Sequence, residues 1–114
     1  MPAARDDYLL RLITQAAAAL RRLREKLEGG TSASEVAQEA GAAIGELLGP
    51  QRALLERLDT ASAAHIVGNA DTVRAWSSLI ELQADAEDAL GHSAASQRLR
   101  SRARSLTSNG TTTS

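Results

Sequence analysis

Acid–base or metal chemistry in this chain would depend on its two histidines, His65 and His92, because imidazole changes charge near neutral pH. His92 follows three acidic residues at helical spacing, Glu81, Asp85 and Asp88. That spacing would align four possible ligands on one helix, but a closed metal site needs ligands from a second element as well. We therefore expect a solvated acidic face, with metal binding as the alternative. His65 has no partnered nucleophile and is expected to pack or cap a helix end.

Other catalytic groups are missing from the sequence. There is no cysteine, which excludes disulfides, thiolate metal sites and a cysteine nucleophile. Serine is plentiful, but neither a G-x-S-x-G elbow nor a phosphate-binding loop is present. We expect a protein that is not an enzyme and that uses no cofactor and no small-molecule substrate.

Four arginines alternate near the C-terminus, at positions 98, 100, 102 and 104. On a helix, Arg98 and Arg102 would share one side, and Arg100 and Arg104 another. No aromatic residue lies nearby to stack on bases, so nucleic-acid binding is the alternative. The expected role is ion pairing with acidic side chains of neighbouring helices, and Arg98 and Arg102 are candidate interaction residues.

Charge is distributed unevenly along the chain although its net value is −1. Residues 1–27 carry six bases and three acids, residues 28–90 carry three bases and eleven acids, and residues 91–114 carry four bases and no acid. Separate patches of opposite sign in a nearly neutral domain favour internal pairing. We expect the two basic ends to fold against the acidic middle.

The elements that would position these groups are helices. Alanine and leucine form about a third of the chain, a composition typical of helices, and no window alternates with the period of a strand. With 114 residues, the chain is long enough for one core. We predict an all-α fold, a compact bundle of four or five helices in one domain over residues 1–106.

The first predicted helix, residues 6–28, carries apolar residues at alternating spacings of 4 and 3. These residues, here called the inner seam, are Leu9, Ile13, Ala16, Leu20, Leu23 and Leu27. A heptad seam of this kind packs against a partner helix. Because one short neighbour would not cover it, the seam suggests a homodimer through this helix.

A second helix, capped by Ser32 and ended by Gly49, carries a stripe of glycines at positions 41 and 45. Each interior glycine costs a helix about 1 kcal/mol relative to alanine. We expect Gly41 and Gly45 to allow a close crossing with the alanine run 16–19 of the first helix. On that basis, Gly41→Leu would loosen the domain.

The bounds of the remaining helices follow from breaks in the helical spacing of apolar residues. Pro50 opens a third helix, and residues 50–67 form either one helix or two. A fourth helix, capped by Asp71 or Thr72, extends to Leu90, and a fifth extends from the cap at Ser93 to Leu106. The polar residues 107–114 are expected to be disordered.

Only two side chains are large and amphipathic, Tyr8 and Trp76. Burial in the core is the default for such residues, but exposure would mark a contact site because interfaces favour them. Tyr8, Leu12 and Trp76 are therefore candidate interaction residues.

Two stretches carry a family resemblance. The opening DYLLRLITQ, residues 7–15, and ELLG, residues 46–49, resemble an uncharacterised bacterial family of helical domains of unknown function. The last two helices, residues 72–106, also resemble one tetratricopeptide unit. The resemblance implies an all-helical fold with a helical hairpin at the C-terminus and implies no activity.

These observations favour a non-catalytic protein-interaction or assembly module whose partner is a protein, the chain itself included. The alternative is a small nucleic-acid-binding regulator. No apolar run approaches the roughly 18 residues of a membrane span, so no membrane partner is expected. The lack of cysteine fits a cytoplasmic location.

Overall fold

A computed structural model describes the backbone of residues 3–111 and the side chains of residues 7–109. Within that part of the chain the fold is entirely helical, as the composition predicts. The helices are α1 (Ala3–Glu28), α2 (Ala33–Leu48), α3 (Arg52–Arg57), α4 (Thr60–Val67), α5 (Ala70–Ala89) and α6 (Ser93–Thr111), with a 3₁₀ turn at Gly49–Gln51.

Local chemistry explains where these helices begin and end. The Ser32 side chain accepts a hydrogen bond from the Glu35 amide at the start of α2, which satisfies an amide that the helix leaves unpaired. Asn69 does the same for Thr72, so the cap of α5 lies earlier than Asp71 or Thr72. Gly68 ends α4 with a φ of 76°, a conformation that side chains with a Cβ rarely adopt.

The segment 50–67 forms two short helices, α3 and α4. The chain becomes extended at Leu58, with φ −92° and ψ 160°, and remains extended at Asp59. Two consecutive extended residues cannot continue a helical ladder, so the question left by the sequence is settled in favour of two helices.

The central element is α5, which contacts α1, α2, α4 and α6. It forms an antiparallel hairpin with α6, shown by the hydrogen bond from Ser77 Oγ to the Ala103 carbonyl. One buried cluster includes Trp76 and Leu79 of α5 and Leu106 of α6, and a second joins Leu23 of α1 to Leu82 of α5. Burying a side chain of this size contributes about 1.5–3 kcal/mol.

The position of Trp76 corrects its assignment as an interaction residue. Its side chain is fully buried in the main core. An indole in the centre of a packed core cannot reach a partner, so the default for large aromatic residues applies here.

The glycine stripe also lies against a different neighbour from the expected one. A Cβ at Gly45 would lie 3.1 Å from Arg52 Nη1, and a Cβ at Gly41 would lie 3.5 Å from Gln83 Nε2. No atom of the alanine run in α1 lies within 4 Å of either position. The close crossing with α1 is therefore wrong, because the stripe accommodates an arginine side chain and not a helix backbone.

The C-terminal helix is longer than expected. α6 continues to Thr111, and Thr107 Oγ1 donates a hydrogen bond to Ser77 Oγ over 2.7 Å. The backbone of residues 107–111 is therefore helical and not a disordered tail, and the side chains of Thr107 and Asn109 bond to Ser77 and Thr60 of neighbouring helices. Residues 112–114 lie outside the described part.

Candidate interaction surface

The beginning of α1 extends beyond the rest of the bundle. Leu12 packs near Leu47, one residue before the end of α2, and Leu9 borders a hollow with Asn69 at the start of α5. Among the described elements, α1 contacts only α2 and α5. The turns of α1 that precede Leu9 therefore extend past both neighbours.

The inner seam of α1 is used inside the molecule. Ala16 and Leu23 are buried, and the other four seam residues are half-buried. Two helices, α2 and α5, cover the seam, whereas the sequence argument for a dimer assumed one short neighbour. The seam therefore no longer indicates a homodimer, and pairing of two chains through it stays a prediction.

The exposed apolar residues of α1 lie elsewhere on the helix. Leu10 is 62% exposed and Tyr8 is 56% exposed, the two highest values for large hydrophobic side chains in the described residues. Two residues correspond to about 200° around a helix, so Tyr8 and Leu10 lie on different flanks of α1. Leu12 lies on the flank of Tyr8 but is half-buried against the core.

Each flank of α1 borders a groove. The groove toward α2 has a volume of about 600 Å³, with Ala18, Ala19, Ala42 and Ala43 among the residues that line it. The groove toward α5 has a volume of about 350 Å³ and includes Ile13, Ala17, Leu20 and Ala75. The second is the more apolar of the two, and an ion pair between Asp71 and Arg74 lies at its edge.

The four alternating arginines do not form one basic surface. Arg100 forms ion pairs with Asp85 and Asp88, as the internal-pairing expectation predicted. Arg102 donates to the Leu55 carbonyl over 3.1 Å, and its Cζ lies 5.5 Å from the centre of the Trp76 ring. Arg102 therefore stabilises the fold, which corrects its assignment as an interaction residue.

Two of the arginine side chains remain exposed, Arg98 and Arg104. They are six residues apart, which places them about 120° apart around the helix. On α6, the nucleic-acid alternative is left with two separated cations in place of a continuous patch.

The acidic face of α5 is neutralised by basic side chains. Asp85 forms ion pairs with Arg24 and Arg100. Arg100 also donates a hydrogen bond to Asp88, which holds the pKa of that carboxyl below its ordinary value. His92 Nδ1 lies 2.6 Å from Glu87 Oε1, and His65 is exposed on α4. Within the described residues, no group of three potential ligands converges on a point.

The C-terminal end of α1 carries a second ion-pair cluster. Lys26 Nζ lies 3.0 Å from Glu39 and 3.5 Å from Glu35, and Arg22 also pairs with Glu39. The hydrogen bond between Lys26 and Glu39 raises the pKa of the lysine and lowers the pKa of the carboxyl. This confirms for these residues that the basic N-terminal segment folds against the acidic middle.

Arg52 is a structural residue that the sequence patterns did not single out. Its Nη1 donates to the Gly41 carbonyl over 2.7 Å, and its Nε pairs with Glu56 over 2.9 Å. The glycine stripe was the sequence feature that could have indicated this contact. A helix surface without Cβ atoms accommodates a long side chain as readily as it accommodates another helix.

No protein-family model, no curated protein and no solved structure matches this chain. The resemblances to the bacterial helical family and to a tetratricopeptide unit therefore remain predictions. Among the described residues, no helix is both long and apolar enough to cross a bilayer.

Proposed function

We propose that this protein is a non-catalytic assembly module that associates with protein, a second copy of itself included, through the exposed part of α1. The observation that carries the proposal is the exposure of Leu10 beside the apolar groove between α1 and α5. A large exposed apolar side chain that continues into an apolar groove is typical of protein contact sites. Tyr8 is exposed on the other flank of the same helix. Tyrosine is also among the residues that interfaces favour.

The surroundings of these residues support the proposal. Apolar and alanine side chains continue from Leu10 into the groove between α1 and α5, so a partner could bury more than two isolated side chains. The opposite end of the bundle carries ion pairs that already satisfy one another.

The proposal predicts that Leu10→Glu reduces self-association. A carboxylate at a position that is 62% exposed in the single chain costs little in folding, but burying it in an interface without a partner is unfavourable. Light scattering over a wide concentration range should give a mass closer to the monomer for Leu10→Glu than for the unaltered chain.

A matched control is Leu54→Glu. Leu54 is 53% exposed but lies on α3, so the same chemical change is made away from α1. The proposal expects the association of this variant to equal that of the unaltered chain. An equal effect of the two substitutions would contradict a surface on α1.

A further inference from the structure

The outward side of α1 carries a second row of residues at heptad spacing, separate from the inner seam. The members of this outer stripe are Asp7, Leu10, Thr14, Ala17 and Arg21, at steps of 3, 4, 3 and 4. All five side chains are exposed. The stripe lies about 120° around the helix from the inner seam, and Leu10 and Ala17 border the hollows between α1 and α5.

The outer stripe is complementary to itself when reversed. It has an acid, Asp7, at one end and a base, Arg21, at the other, and both side chains are exposed. Leu10 lies four residues before Thr14, and Ala17 lies three residues after it. When a second stripe runs in the opposite direction, each large residue therefore faces a small one and each acid faces a base.

We infer that two copies of the chain pair through their outer stripes as antiparallel α1 helices, with a two-fold axis near Thr14. This inference rests on the proposed function and specifies its partner and geometry. Leu10 of each copy faces Ala17 of the other, so a large side chain fills the space left by a small one. Asp7 of each copy faces Arg21 of the other.

Charge also selects the orientation. In a parallel pair with the same register, Asp7 would face Asp7 and Arg21 would face Arg21, and like charges at such positions are destabilising. The antiparallel pair replaces two repulsions with two attractions. The stripe from Asp7 to Arg21 is about 21 Å long at 1.5 Å per residue, which places the contact at the small, weakly associating end of protein interfaces.

A charge exchange tests the register. Asp7→Arg and Arg21→Asp each place like charges opposite one another twice in the symmetric pair, and each should raise the dimer dissociation constant by about tenfold at low salt. The double variant Asp7→Arg with Arg21→Asp restores both pairs, so its dissociation constant should return to within about threefold of the unaltered value. Additive weakening in the double variant would overturn the register.

Single cysteines provide an independent readout, because the unaltered chain has none. Thr14→Cys places one thiol beside the proposed axis, and a short bis-maleimide should link two copies efficiently. Gln15→Cys is the control, since residue 15 is also exposed but lies about 100° around the helix. Preferential linkage at residue 15 would overturn the stripe.

The outcomes separate this inference from the proposed function. Leu10→Glu can abolish the dimer while the double charge variant associates as weakly as the single charge variants. In that case association through α1 stands and the antiparallel stripe fails. If the unaltered chain stays monomeric at every concentration, the self-association on which the inference rests fails. Circular dichroism of each variant at matched concentration checks that the helices remain folded.

Discussion

At the scale of residues, Arg102 connects three parts of the molecule. Its guanidinium donates to carbonyls of Leu55 and Leu58, where α3 ends, and lies over the Trp76 ring. The Leu55 carbonyl also accepts a hydrogen bond from the Leu58 amide, so Arg102 adds a second donor at the end of α3 and attaches α3 to α6.

Arg102→Ala should therefore destabilise the fold. We expect a loss of about 1–2 kcal/mol in the free energy of unfolding, from the lost hydrogen bonds and the lost cation–π contact. Arg98→Ala is the control, since Arg98 lies one turn earlier on α6 and is exposed. Urea denaturation followed by the fluorescence of the single tryptophan measures both, and equal stability of the two variants would refute the role of Arg102.

Arg52 and the glycine stripe give a second residue-scale prediction, for a smaller substitution than the Gly41→Leu considered from the sequence. A Cβ at Gly41 meets its neighbours at 3.5 and 3.8 Å, which is ordinary contact. Gly41→Ala should stabilise the protein by about 0.5–1 kcal/mol, because alanine favours a helix interior.

Gly45→Ala is the companion variant. Its Cβ would lie 3.1 Å from Arg52 Nη1, so the arginine must shift and the gain should be smaller. Thermal unfolding of the two variants checks the order. A large loss of stability in Gly41→Ala would restore the idea of a close helix crossing.

At the scale of elements, the sequence predicts the long helices well and their neighbours poorly. The period of α1 and the capping serine of α2 depend on local chemistry, which one sequence contains. Which helix covers the inner seam depends on the path of the chain between α2 and α5, which local spacing does not encode. The same limit applies to the glycine stripe, whose partner Arg52 is seven residues beyond Gly45 in the chain but on another helix.

The end of α6 shows a further limit of composition. Residues 107–111 are polar and predict disorder, yet Thr107 bonds to Ser77 of α5 and Asn109 bonds to Thr60 of α4. Hydroxyl and amide groups can hold a last turn on a bundle without burying apolar surface.

Removing residues 107–114 should consequently lower stability. We expect a loss of about 1–2 kcal/mol, because the Ser77 hydroxyl is left without one hydrogen-bond partner in a buried position. A chain that ends at residue 111 is the control and should unfold like the full chain. If both truncated chains melt at the temperature of the full chain, the C-terminal turn does not contribute to stability.

At the scale of the whole molecule, the two ends of the bundle differ. The end where α1 and α5 finish carries the Lys26–Glu39 and Arg100–Asp88 pairs. The end where α1 and α5 begin carries exposed Tyr8 and Leu10, and exposed Ile66 lies four residues before α5. The uneven charge along the sequence predicted the first end. At the second end the sequence named Tyr8 but neither Leu10 nor Ile66, because exposure depends on which neighbours are absent.

Sedimentation velocity of the unaltered chain over a wide concentration range tests whether two copies associate through α1. The weight-average sedimentation coefficient should rise from the monomer value toward the dimer value with concentration, whereas that of Leu10→Glu should stay near the monomer value. An unaltered chain that sediments as a monomer at every concentration would contradict it.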